Sequence, residues 1–215
     1  MKTLTHQFKS LFFTLVIAVS LVGCSKDDDN NDNKDNTEDL KGGQATAVIG
    51  VENQTIQFST KTDNSFATII KTKIGENEIN QLIIVMMDDN SDVMIVAQAA
   101  PAPGKTTSYD LSKPLTEDYF FTTNVAVEGK NSSENNVYGV GSYQQGEEIV
   151  IRSKGSFKIT SLSNTNIKGT FEMTLYNSYD PNNAHDAEEL TVTEGEFDLP
   201  IVELDEGDLG DLGLE

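Results

Sequence analysis

Residues 44–202 read as an all-β domain, an antiparallel β-sandwich or barrel-like fold of about ten strands, and three features predict it. Apolar residues recur mostly with period two, the mark of strands that bury one face. Turn signals such as Asp63-Asn64, Asp89-Asn90, Pro103-Gly104 and Gln145-Gly146 separate several of the runs. The stretch is also long enough, at about 160 residues, for one domain that buries roughly 70% of its unfolded surface.

The elements follow in order. Runs at 45–51 and 55–59 open the domain. In 66–74, Phe66, Ile70 and Ile74 share one face while Lys71 and Lys73 lie on the other. The next segment is ambiguous, because Ile79, Leu82, Ile83 and Met86 recur at helical spacing across 78–87. Residues 82–87 are nevertheless continuously apolar, include β-branched side chains and stop at Asp88-Asp89-Asn90, which predicts a central strand. Further runs occupy 92–97, 120–127, 137–142 and 148–153. At 157–160, Phe157 and Ile159 alternate with Lys158 and Thr160. At 170–176, Phe171, Met173 and Leu175 alternate with Thr170, Glu172 and Thr174, and 189–199 closes the series. No internal repeat of fixed period is present.

Ahead of this domain the chain carries an address. Lys2 and Lys9 precede an apolar run at 11–22, too short to span a bilayer but suited to the central region of a secretory signal peptide. The run ends in Leu21, Val22, Gly23 and Cys24, an order that resembles the lipobox of bacterial lipoproteins. The resemblance implies that residues 1–23 are a signal peptide, cleaved before Cys24, and that the thiol and new amino group of Cys24 are acylated. Cys24 is the only cysteine, so no disulfide partner explains it. Each buried CH₂ contributes about 0.8 kcal/mol, and two or three acyl chains hold a protein on a membrane where one would not.

Ser25, Lys26, Asp27, Asp28 and Asp29 resemble the lysine-then-acidic export signal of Bacteroidota lipoproteins. This implies the outer membrane, lipid-anchored and facing the cell exterior; the alternative is a solvated acidic linker with no address. From 27 to 39 no residue is apolar, so residues 24–43 read as a disordered acidic tether that ends at Gly42-Gly43. A calcium loop is not expected there, because its glycine turn and closing glutamate are missing.

Residues 155–162, Gly-Ser-Phe-Lys-Ile-Thr-Ser-Leu, are followed by Ile167-Lys168-Gly169-Thr170-Phe171-Glu172-Met173 and then Val192-Thr193-Glu194-Gly195-Glu196-Phe197. With the preceding segment 104–109, this pattern resembles a broad family of Bacteroidota surface lipoproteins of unknown function. The resemblance spans roughly 44–202 and implies an all-β fold and a surface address. It imports no activity.

Charge narrows the partners. The chain of 215 residues carries 15 basic and 35 acidic side chains, a formal charge of −20; without residues 1–23 it loses Lys2 and Lys9 and reaches −22. Nucleic acid is excluded as a partner for want of a basic stripe. No Lys or Arg follows Lys168, and residues 203–215 form an acidic tail. That tail reads as solubilising, with weak divalent-cation binding by Glu203, Asp205, Glu206, Asp208 and Asp211 as the alternative.

Chemistry is sparse. Beyond residue 23 there is one histidine, His185, in a polar loop at 177–186, where a solvated role is expected. With the cysteine acylated, a Cys-His pair or a His/Cys zinc site is not expected, and no Gly-x-Ser-x-Gly elbow is present. No metal and no cofactor are predicted. Tyr109, Tyr119, Tyr138, Tyr143, Tyr176 and Tyr179 are candidates for a ligand platform, against the plainer role of covering the rim of the core. Gly139, Gly141 and Gly146 fit turns or tight strand packing. The function expected is a surface-anchored, non-enzymatic binding or interaction module whose ligand is a glycan, a peptide or a surface protein. The alternatives are a structural envelope protein or a carbohydrate-active enzyme with paired carboxylates.

Overall fold

A computed structural model describes residues 43–51, 53–60, 65–74, 77–88, 92–100, 102–104, 106–113, 120–127, 137–140, 142–145, 148–177 and 188–203, with backbone alone at 72–74, 77–78, 142–145 and 148–150. All but Glu203 belong to one compact unit, Asp39–Val202. Every helix-or-strand element among the described residues is a strand. In chain order they are β1 (Gln44–Val51), β2 (Gln54–Thr60), β3 (Phe66–Ile74), β4 (Asn77–Met87), β5 (Val93–Ala100), β6 (Thr107–Asp110) and β7 (Phe120–Val127). Then follow β8 (Val137–Gly139), β9 (Ser142–Gln145), β10 (Glu148–Ile151), β11 (Lys154–Leu162), β12 (Asn166–Asn177) and β13 (Glu189–Pro200).

The fold is all-β and antiparallel, as the period-two pattern predicts. Nine strands run β2-β1-β13-β12-β8-β7-β5-β4-β3. β12 is long enough to hold two neighbours on one edge: β11 pairs with it up to Thr174, and β8 pairs with Tyr176 and Asn177. β6 extends the sheet beyond β11. The sheet curls back on itself, since Ala67 of β3 forms a parallel bridge with Ile201, just past β13, and the Val202 amide donates to the Ala67 carbonyl at 2.8 Å. β9 and β10 form a separate hairpin.

Curling brings the concave faces together around one core. On β12, Ile167, Phe171, Met173 and Leu175 point inward while Lys168, Thr170 and Glu172 are exposed. Ile49, Ile84, Ile95, Leu175, Leu190 and Leu199, drawn from five strands, are all buried in that cluster. Aromatic rings cross the interior. Phe121 on β7 stacks on Tyr109 of β6 at 4.4 Å and tilts against Phe157 of β11 at 5.3 Å, although neither strand is paired with β7. Phe157 also meets Phe171 at 5.6 Å and Phe197 at 5.2 Å. Such pairs are each worth about 0.5–1.5 kcal/mol beyond the area they bury.

Two glycines make room for those rings. Gly169 stands opposite Phe197 and Gly195 opposite Phe171 in the β12–β13 register. A Cβ on Gly169 would lie 2.3 Å from the Phe197 ring, and one on Gly195 would lie 2.5 Å from the Phe171 ring. The Thr-x-Gly-x-Phe pattern at 193–197 therefore has a packing cause.

β13 also carries a bulge. Thr46 pairs with Glu196 and Val48 with Thr193, so two residues of β13 oppose Ala47 alone. Thr193 and Glu194 are consecutively exposed there, and the inward set changes from Leu190 and Val192 to Phe197 and Leu199. Glu194 adopts φ 55° to make the turn. β11 does the same at Thr160, switching the strand's face after Ile159.

The residues at 82–87 form part of β4, a strand flanked by β3 and β5 and buried on both faces from Leu82 to Met86, which accounts for the continuous apolar run. One expectation needs correction. The run 137–142 is not one strand: β8 stays in the main sheet, whereas β9 leaves it to pair with β10. On β3, Phe66 and Ile70 are half-buried and share their face with buried Thr68, while the opposite side, which carries Lys71, reaches the core through Ala67 and exposes Ile69. β6 was not expected, because four residues are too few to show a period.

Candidate functional site

The residues singled out for function fall into three groups. Cys24 and Ser25, Lys26, Asp27, Asp28 and Asp29 lie outside the described residues, as do the tether up to Gly42, His185, Tyr119, Tyr179 and the tail beyond Glu203. Tyr143 is described in backbone only. Tyr109, Tyr138 and Tyr176 are placed, and all three are buried.

Burial decides their role. Tyr109 lies in the aromatic core on Phe121, and Tyr138, on β8, is 1% exposed. Neither ring offers a face to a ligand. Gly139 sits in β8, paired with Asn124 on one side and Tyr176 on the other, as tight strand packing requires.

Tyr176 stands differently. It ends the run of core residues on β12, where that strand passes from β11 to β8. Arg152, the sole arginine of the chain, holds its guanidinium 4.1 Å from the centre of the Tyr176 ring. The Tyr176 hydroxyl donates to Glu189 Oε2 at 3.2 Å, across the β12–β13 pair that joins the two residues. Burial raises the phenol above its ordinary range, and the Glu189 carboxylate and its hydrogen bond push the same way, against the opposing Arg152 charge. At neutral pH Tyr176 is thus a hydrogen-bond donor. A cation over a ring contributes about 0.5–2 kcal/mol depending on desolvation. Cation, phenol and carboxylate satisfy one another here and clamp the junction between the two branches of the sheet.

A second polar cluster lies on the outer face of β12 and β13. Lys168 Nζ donates to Asp198 Oδ2 at 2.5 Å, and Asn166 Nδ2 donates to Asp198 Oδ1 at 2.7 Å. The Lys168 hydrogen bond, then that of Asn166, holds the Asp198 carboxyl below the usual carboxylate range, outweighing its desolvation. Both side chains of the ion pair are about half exposed. The loop after β6 has its own local ligand: Asp110 Oδ1 accepts from the Ser112 amide at 3.0 Å and from its hydroxyl at 2.6 Å, which lowers that carboxyl too.

Among the described residues no group of three or more His, Cys, Asp or Glu converges to hold a metal ion. No described helix is long and apolar enough to cross a membrane. The Arg152–Tyr176–Glu189 cluster was not foreseen. A unique arginine near the tyrosine-bearing strand was the available signal, but their meeting depends on the branching of β12. Compared with known proteins, the chain matches no family model, no curated relative and no solved structure.

Proposed function

We propose that this chain is a lipid-anchored protein of the outer membrane, displayed on the cell exterior, where its β-domain serves as a non-enzymatic binding or interaction module. The junction Leu21-Val22-Gly23-Cys24 followed by Ser25-Lys26-Asp27-Asp28-Asp29 carries the reading. A short apolar run before a lone cysteine suits acylation, and the residues after it suit export and a solvated spacer. The β-domain is consistent with a role in contact rather than chemistry. Its three described tyrosines are buried, its clusters are mutually satisfied, and the outward residues of β11, β12 and β13 are Lys, Thr, Ser and Glu for the most part.

Palmitate labelling tests the anchor. Native chain should incorporate label at Cys24, and Cys24→Ala should abolish labelling and leave the precursor uncleaved at this site; unchanged labelling sinks the assignment. Replacing residues 26–29 with alanine should leave acylation intact but protect the protein from protease added to intact cells. Equal digestion of native and alanine chains defeats the export signal, and protection of both places the native protein inside the envelope.

A further inference from the structure

β2, β6 and β3 end the ladders of the curled sheet. An unpaired edge is a template for another strand, and edges are usually blunted by shortness, charge, proline or a cover. β6 has four residues and ends in Asp110. β3 contains Lys71 and Lys73, and its start is met by Ile201 and Val202. Among the described residues, β2 has none of these devices. Its seven residues, Gln-Thr-Ile-Gln-Phe-Ser-Thr, contain no charge and no proline and keep an unbroken register with β1, and among the described strands none pairs with its other edge.

The outward groups of β2 follow from its turn. Val51 and Gln54 are paired across two residues, Glu52 and Asn53, and Asn53 has φ 64°, the left-handed backbone that two-residue hairpin turns use. The residues flanking such a turn exchange hydrogen bonds, and bonded and non-bonded pairs then alternate. Gln54, Ile56, Phe58 and Thr60 therefore bond to β1, while Thr55, Gln57 and Ser59 turn their amides and carbonyls outward. The same three side chains are exposed.

We propose that two copies of this chain associate by antiparallel pairing of β2 with β2, about a two-fold axis at Gln57. This register sets Gln57 against Gln57, Thr55 against Ser59 and Ile56 against Phe58 of the second copy. Amide meets amide, hydroxyl meets hydroxyl, and apolar meets apolar. The three outward residues supply about six inter-strand hydrogen bonds. A closed two-fold contact of this kind uses one patch on both copies and leaves neither β2 edge open. Charge also fits a contact made here: copies with a formal charge of −20 repel, yet β2 brings no charged side chain to the seam. Charges outside the seam are screened over about 10 Å at 0.1 M salt, so association strengthens as salt rises. One strand pair buries less than the roughly 1,000 Å² of a stable interface, so the contact is weak and is best trapped covalently. The inference does not depend on lipid anchoring, although an anchor would concentrate copies in one plane.

Disulfide trapping in the full chain tests it. A hydrogen-bonded antiparallel pair sets its Cα atoms about 5.5 Å apart, within the span of a disulfide. Gln57→Cys should give a reducible dimer at least tenfold above the unsubstituted chain, whose only cysteine is Cys24. Thr170→Cys, exposed on β12, should stay at background. Thr55→Cys alone should also stay at background, and Thr55→Cys with Ser59→Cys should dimerise. Gln57→Pro removes an amide that β1 does not use, so in the double-cysteine chain it should cut dimer about tenfold with an unchanged melting temperature. Dimer from Gln57→Cys no greater than from Thr170→Cys overturns the proposal, as does equal trapping through Thr55→Cys, or trapping that weakens as salt rises. Capture of a different protein at residue 57 in place of a second copy overturns it as well.

Discussion

Gly169→Ala sets two rules of thumb against each other. Strand propensity says that a glycine in a strand interior costs roughly 0.5–1 kcal/mol, so alanine should stabilise. The packing says the reverse. A Cβ at 169 would lie 2.2 Å from the Lys158 carbonyl oxygen and 2.3 Å from Phe197 Cζ, where real contacts begin near 3.0 Å. One neighbour is backbone of β11 and the other a ring closed in by Phe157 and Phe171, so neither swings away freely. Overpacking costs typically 1–3 kcal/mol, and with a carbonyl and a ring both displaced the upper end, about 3 kcal/mol, is expected. For a chain of this size that lowers the melting temperature by about 6–12 °C. Thermal unfolding of the full chain, followed by far-ultraviolet circular dichroism, reads the change. Gly104→Ala is the control: nothing lies within 4 Å of its Cβ, so it should be neutral or slightly stabilising. Adding Phe197→Leu to Gly169→Ala should leave less destabilisation than the two changes sum to, because the ring half of the clash goes while the carbonyl half stays. A Gly169→Ala chain that melts within 2 °C of the native protein, or above it, would refute the account of the β12–β13 glycines.

Glu194 occupies the left-handed region at the β13 bulge, so Glu194→Gly should raise stability by about 0.5–1 kcal/mol, the relief of a non-glycine residue there less glycine's own entropy cost. Glu194→Val should lower it; matched melting temperatures for the two variants would contradict the bulge geometry. Asp198 has a lowered carboxyl, so its contribution is complete above the unfolded value of about 3.9 and is lost as pH falls through the lower native value. Because the Lys168–Asp198 pair is half exposed, Asp198→Asn should cost only about 0–1 kcal/mol at pH 7, and the difference should shrink as pH falls below the unfolded value; a difference that grows on acidification would reverse the sign.

The parts of the fold legible in sequence were those in which a strand buries one face over several residues. β12 is the clearest, with Ile167, Phe171, Met173 and Leu175 on one parity. β4 was legible for the opposite reason, an apolar run too continuous for an amphipathic helix. Short elements escaped: β6 has four residues, β8 three and β9 four, too few for the change of sheet between β8 and β9 to show as a change of period. The bulges left a trace, since Leu190 and Val192 are even and Phe197 and Leu199 odd, a parity switch that one strand can make only by gaining a residue. The polar clusters were not legible. Glu189 approaches Tyr176 from β13 and Arg152 from the link between β10 and β11, and only the register of β12 with β13 and the course of the chain before β11 bring them together.

β13 arrives last from the amino-acid sequence and yet takes a middle place, between β1 and β12. The Thr191 hydroxyl reaches the Gly50 carbonyl across 141 positions. Before Glu189 exists, β1 has β2 as its partner and nothing on its other edge, and a two-stranded ribbon is marginal in water. A chain that emerges N-terminus first, from a ribosome or through a translocation pore, thus holds its first strands in waiting until its final segment is delivered. Long-range pairing of this kind is slow to form. Completion of the fold is tied to delivery of β13, and the sheet locks when that strand slides into the gap left for it between β1 and β12.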